Sequence, residues 1–300
     1  MTISIPTPLI PSLALSHQNN SNIWLKMESS QPSGSFKLRS AGHACQYYAS
    51  QGATGFVSSS GGNAGIAVAH SGRQLNLPVT VVVPETTSAR AIALIKQEGA
   101  EVIVHGTQWS EANDLALTLA TEKNVYIHPF DNPLLWQGIS TIVDEVMEAG
   151  VKPDAVILSV GGGSLLSGIA AGLEKHHLKH VPIYAVETFG TASLHASMQA
   201  KRLVKLDKVS GIATTLAASQ VCENAFNISR DFNVNSMLVS DDDCINACKS
   251  FLDDHRVLVE PACGAALSLL YSNKVSFHPT DNVLVIVCGG ASVTTKTLLG

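Results

Sequence analysis

Six short runs rich in valine and isoleucine recur along the chain, at residues 55–58, 79–83, 101–104, 155–160, 183–186 and 283–288. They are largely continuous in apolar character, and this restricts the fold more than any other feature. A strand with one face in water alternates apolar and polar residues. A continuous run belongs to a sheet covered on both faces, and such sheets are parallel. Parallel neighbours need crossovers of about a dozen residues or more. Helical patterns over 35–50, 63–75, 88–97, 110–122, 137–149 and 165–175 supply them, and Gly99 stops one helix before the next strand. The expected class is α/β with right-handed crossovers.

Three hundred residues allow one large domain or two ordinary ones. Residues 40–132 read as a self-contained βαβαβ unit, a second unit begins at Ala155, and Asp131-Asn132-Pro133 offers a crossing point. The expectation is two doubly wound lobes with a ligand held between them at strand C-terminal ends. At 45% hydrophobic and 14% charged residues, with net charge −5 and no basic block, the chain fits a compact enzyme. Nucleic acid and anionic membrane are excluded as main partners. The first fifteen residues carry three prolines and no cationic segment, unlike a secretory signal, and no apolar run reaches the roughly 20 residues of a membrane helix. Six scattered cysteines fit free thiols in a reducing, cytoplasmic setting. Neither the Cys244/Cys248 pair nor His176, His177 and His180 completes a metal site.

Four segments carry chemistry. In Pro32-Ser33-Gly34-Ser35-Phe36-Lys37, small residues and an aromatic ring precede a lysine, and a lysine that sheds its proton forms an imine with a carbonyl. Ser58-Ser59-Ser60-Gly61-Gly62-Asn63-Ala64-Gly65 runs from strand to helix and suits a carboxylate or phosphate, although a polar turn with Asn63 as cap would look similar. Val160-Gly161-Gly162-Gly163-Ser164-Leu165 is a second anion cradle. With Gly168 and Glu187 it also imitates a dinucleotide fingerprint, so an NAD-dependent oxidoreductase stays open. The fourth is the buried strand ending in Cys288-Gly289-Gly290, where ligands of such sheets sit.

In this order the four segments resemble the fold-type II pyridoxal phosphate enzymes, which have the tryptophan synthase β-like fold. Within them the chain resembles the eukaryotic-type L-serine dehydratases (serine/threonine ammonia-lyases), with further likeness at Ala185-Val186-Glu187-Thr188-Phe189-Gly190 and at Leu258-Val259-Glu260-Pro261-Ala262-Cys263-Gly264. The resemblance implies a large cofactor-binding domain of residues 1–34 plus 135–300 and a small domain of 35–134. It implies that Lys37 holds pyridoxal 5'-phosphate covalently and later moves the substrate Cα proton. Phe36 packs on the ring, Asn63 meets its hydroxyl, and Gly161, Gly162, Gly163, Ser164 and Leu165 hold the phosphate. Ser60, Gly61, Gly62, Asn63 and Ala64 take the substrate carboxylate, Cys288 faces the pyridine nitrogen, and Glu187 helps hold a monovalent cation such as K+. Thr215 falls where the family has a small residue on the other ring face, and its surroundings (211–220) match poorly. Relatives are commonly homodimers.

A thiol opposite the ring nitrogen influences it less than a carboxylate would, which favours prompt loss of a β-hydroxyl. The expected reaction converts L-serine to pyruvate and ammonia, and L-threonine to 2-oxobutanoate. Serine racemases place a serine where this chain has Gly61, so racemisation is disfavoured, and the room left by Gly61 implies modest turnover. β-Replacement stays possible on fold alone.

Overall fold

The computed structural model describes residues 2–299. Its strands are β1 (Leu9–Pro11), β2 (Asn22–Lys26), β3 (Gly55–Ser58), β4 (Val79–Val83), β5 (Glu101–Val104), β6 (Asn124–Tyr126), β7 (Ala155–Ser159), β8 (Ile183–Thr188), β9 (Val234–Val239) and β10 (Asn282–Ile286). They form two sheets, and the chain divides into two units: Met1–Ile5 with Gln31–Gly138, and Pro6–Ser30 with Ile139–Gly300.

In the first unit the order is β5-β4-β3-β6, with every pair parallel. β3 and β4 are almost wholly buried, as their continuous apolar sequences require. Val57, Val82, Ala112 and Ala116 form a fully buried cluster in which helix Trp109–Leu119 packs on the sheet, flanked by Ile103 and Tyr126. Helix Asn63–Leu75 approaches β4 closely, because a Cβ at Gly72 would lie 2.1 Å from Val79 Cγ2. Helix Lys37–Ser50 packs on helix Asn63–Leu75, and the buried Cys45 thiol meets Ser71 there.

The second unit has the order β1-β2-β10-β7-β8-β9, parallel except for the edge strand β1. β10 is the joining strand: Asn282–Ile286 pair with Asn22–Lys26 on one side, and Val283–Val285 with Ala155–Ile157 on the other. Lys26 ends β2 fully buried, with Nζ donating to Thr7 O (2.6 Å) and Glu145 Oε2 (2.5 Å). A buried ammonium is tolerated only with such partners. Helices Asp241–His255 and Pro261–Tyr271 cross where Gly264 has no side chain; a Cβ there would lie 2.3 Å from Cys244 O.

Each sheet reverses its direction of growth once. Strands β3, β4 and β5 are laid down outward, and β6 then returns to the other side of β3. Likewise β7, β8 and β9 grow one way and β10 returns beside β7. Right-handed crossovers send the helices at such a reversal to opposite faces, leaving a crevice at the strand C-termini.

Candidate active site

The crevice of the first unit opens after β3 and β6, at residues 59–62 and 127–132. Lys37 belongs to this unit as the first residue of its helix, following Phe36 with no side-chain cap. Its Nζ lies 5.1 Å from the Phe36 ring centroid and donates to Pro129 O at 2.6 Å. Pro129 sits in a tight turn organised by His128, whose Nδ1 accepts from Phe130 N (3.2 Å) and Asp131 N (2.8 Å). Burial, then the neighbouring Lys37 charge, pushes the imidazole down to about 4. It is therefore neutral near pH 7, with its proton on Nε2 because Nδ1 accepts.

The loop after β3 is held from below. Ser59 Oγ and the Tyr126 hydroxyl both donate to Asn113 Oδ1, at 2.9 and 2.5 Å, and the two hydroxyls lie 2.9 Å apart. Above this triangle, Gly62 N donates to Ser60 Oγ (3.3 Å), and Gly62 rather than Asn63 is the cap residue of helix Asn63–Leu75. Gly62 brings no side chain to that helix end, in contrast to the serine caps Ser12, Ser88 and Ser240. Asn63 and Ala64 are buried in the first turn, and Gly65 is required because a Cβ would meet Ser60 O at 1.8 Å. One expectation is corrected: Gly61 does not leave open room. A Cβ at Gly61 would lie 2.5 Å from Thr87 Cγ2 and 2.6 Å from its Oγ1, so Thr87 fills that space.

In the second unit the crevice opens after β7 and β10. Helix Ser164–Lys175 starts on Gly163, which has φ +93° and gives no side-chain cap. A Cβ at Gly163 would be 2.5 Å from Ala225 Cβ, and one at Gly161 would be 2.9 Å from Leu216 Cα. At Gly161 and Gly163 the cradle thus has no room for a side chain, while Ser164 and Leu165 are buried in the first turn. Thr215 stands beside it and donates its hydroxyl to Glu260 Oε1 at 2.7 Å. Beyond β10, Cys288 is buried; a hydrogen bond with Cys263, then burial, then the neighbouring Cys263 and Glu260 push its thiol well above the usual range, so it keeps its proton.

Glu187 is the penultimate residue of β8 and has no exposure. Its Oε1 accepts from Leu194 N (2.8 Å) and Oε2 from His195 N (2.7 Å), at the start of helix Ser193–Ala200. A carboxylate turned into a helix end is not presented to a ribose, which removes the basis of the dinucleotide alternative.

These residues fit pyridoxal phosphate. A glycine cradle on an uncapped helix suits a phosphate dianion, and a neutral thiol on the adjacent strand end suits a pyridine nitrogen. Among the described residues no group of three or more His, Cys, Asp or Glu side chains could hold a metal ion. Sequence reasoning missed His128, Pro129, Thr87 and the Ser59–Asn113–Tyr126 triangle. Of these only His128-Pro129 carried a usable signal, as the polar stop of a short strand. Glu260 lay inside a matched segment, but its role as the partner of Thr215 was not legible.

Glu187 yields a prediction. Burial raises its carboxyl from 4.5 to about 7 against the opposing pull of the three backbone N–H groups at residues 193–195. Between these values the folded chain keeps a proton that the unfolded chain has lost, so stability falls as pH rises through that window. In K+-free buffer the unfolding free energy should drop by about 2–3 kcal/mol between pH 4.5 and 7.5, and Glu187→Gln should remove this component. Urea unfolding of both proteins at the two pH values checks it; equal slopes would contradict it.

The model for the family described as "Pyridoxal-phosphate dependent enzyme" matches residues 2–289. An L-serine dehydratase of Dictyostelium discoideum is 46% identical, covering 96% of this chain and 88% of that protein. The human L-serine dehydratase/L-threonine deaminase is 43% identical, covering 99% and 94%. Among solved structures, a fungal L-serine ammonia-lyase from Rhizomucor miehei superposes with a TM-score of 0.94 at 36% identity, covering 99% of this chain and 98% of that one. The fold, the motifs and these likenesses agree, and the chain belongs to the pyridoxal-phosphate dependent enzyme family.

Proposed function

We propose that this protein is an L-serine/L-threonine ammonia-lyase, which eliminates the β-hydroxyl of L-serine to give pyruvate and ammonia and turns L-threonine into 2-oxobutanoate. One observation carries the reading: the Gly161–Gly163 cradle and the protonated Cys288 thiol end adjacent strands, β7 and β10, of one sheet. The names of the relatives support the same substrates.

When bound, pyridoxal phosphate supplies an aldehyde for the substrate amine and an electron sink for the Cα–H bond. The second unit is read as the cofactor-binding domain and the first as the small, substrate-binding domain. Gly161, Gly162, Gly163, Ser164 and Leu165 hold the phosphate with backbone N–H groups and the helix end. Cys288 holds its own proton and leaves the ring nitrogen weakly protonated. Thr215 keeps its hydroxyl on Glu260 and so presents little polar surface. Phe36 covers a ring face, and Asn63 meets the ring hydroxyl. Ser60, Gly61, Gly62, Asn63 and Ala64 bind the substrate carboxylate at a helix N-terminus. Lys37 holds the cofactor, and its freed amine takes the Cα proton, with the Pro129 carbonyl as the acceptor of the free amine. A monovalent cation beside the buried Glu187 carboxylate, a homodimer and a cytoplasmic setting complete the reading.

The test is the visible spectrum of purified protein before and after adding L-serine. The reading expects a yellow protein whose band changes while pyruvate accumulates. A colourless protein that pyridoxal phosphate cannot reconstitute would contradict it.

A second prediction follows from Thr87. Racemisation needs an acid–base group on the opposite face of the substrate, and Gly61 provides none. Gly61→Ser alone meets Thr87, so it should leave D-serine formation near the parent level. Gly61→Ser with Thr87→Ala makes room for the hydroxyl and should raise D-serine formation by about 100-fold. Chiral chromatography of the product decides, and equal D-serine from the single and double variants would refute the role given to Thr87.

A further inference from the structure

The chemistry assigned to Lys37 depends on where its Nζ is held, and one group that holds it is a backbone carbonyl in a turn with no regular structure. After β6, residues 127–132 form no helix and no strand. The carbonyl that accepts from Lys37 Nζ is that of Pro129, whose own nitrogen carries no hydrogen and cannot anchor the turn.

The anchor is a side chain. His128 Nδ1 accepts from the N–H of both Phe130 and Asp131, two and three residues on, so one ring nitrogen straps the peptide that carries the Pro129 carbonyl. An Asp or Asn makes the same kind of turn through its side-chain oxygen. The ring is fixed in turn between two aromatic neighbours. Tyr126 meets it edge-on at 6.0 Å between centroids and Phe130 at 4.7 Å. Trp136 Nε1 donates to Phe130 O at 3.0 Å and pins the far side of the turn. Tyr126 also belongs to the triangle with Ser59 and Asn113, so the ring stands on the support of the loop after β3. A histidine that served only to fill this space would not need an acceptor nitrogen aimed at two backbone donors. The imidazole must be neutral for Nδ1 to accept, and burial beside Lys37 keeps it so.

We propose that His128 is a positioning residue for Lys37: by accepting two backbone N–H groups on one nitrogen, it fixes the turn that presents the Pro129 carbonyl to Nζ. This rests on the reading of Lys37 as the reacting lysine, and it adds the device that sets the position of the free amine. It also assigns a role to the His128-Pro129 pair that the elimination reaction itself does not use.

The test reads Lys37 without turnover. The full-length chain, freed of cofactor, is reductively methylated with formaldehyde and cyanoborohydride at about pH 8, and Lys37 modification is followed by peptide mass spectrometry. A carbonyl acceptor favours the charged amine, so losing its placement should speed modification of Lys37 by about three- to tenfold in His128→Leu and His128→Gln. His128→Asn returns an acceptor at the right reach for the two N–H groups and should stay within about twofold of the parent. The buried Cys45 thiol, on the helix that carries Lys37, is labelled in parallel to report general opening and should stay protected in every variant. Should His128→Leu fail to fold, the Asn and Gln variants decide, since both carry an amide and differ in reach by one methylene.

Equal Lys37 rates in the Asn and Gln variants would overturn the proposal, as would Cys45 exposure rising in step with Lys37 modification. A parent protein that never takes up cofactor would instead refute the functional reading, so the two failures are distinguishable.

Discussion

The placement of both glycine loops, the Pro129 turn and Cys288 traces back to one topological constraint, the single reversal of strand order in each parallel sheet. At a reversal, two neighbouring strands send their following helices to opposite faces, and nothing covers the strand ends between them. In the first unit this leaves the loop after β3 beside the turn after β6, which brings Ser60–Gly62 and Pro129 to one edge. In the second it leaves Gly161–Gly163 beside Cys288. The second reversal exists only because β10, from the far end of the sequence, inserts between β2 and β7.

Around those crevices, burial and hydrogen bonding set the protonation states. Cys288, Glu187 and His128 are pushed toward their neutral forms, the first chiefly by its hydrogen bond with Cys263 and the other two chiefly by desolvation. Under the proposed function each neutral form has a use: a thiol that would leave a pyridine nitrogen weakly protonated, a carboxyl that would ionise beside a cation, and an imidazole able to accept. The two helices that begin on glycine without a side-chain cap work in the opposite sense, presenting positive ends that suit anions.

Much of this was legible in the sequence because the signals were local. The runs at 55–58, 79–83 and 101–104 are the strands β3, β4 and β5 residue for residue, and helix Asn63–Leu75 was bounded correctly. Strands β1, β2, β6 and β9 were missed. β6 is only Asn124-Val125-Tyr126, β1 ends in a proline, and β9 is half-buried along most of its length, so none shows a continuous apolar run. The motif residues were read from their order and chemistry. Their supports were not, because Thr87 against Gly61, Glu260 against Thr215 and the Pro129 carbonyl against Lys37 are contacts between residues far apart in sequence. No period or motif encodes such contacts.

The central claim is that Lys37, and no other lysine, holds the cofactor. Borohydride reduction of the cofactor-loaded protein, followed by peptide mapping, tests it most directly. The account predicts the reduced phosphopyridoxyl group on the peptide containing Lys37 and on no other. Its appearance on a different lysine, or on none, would contradict it.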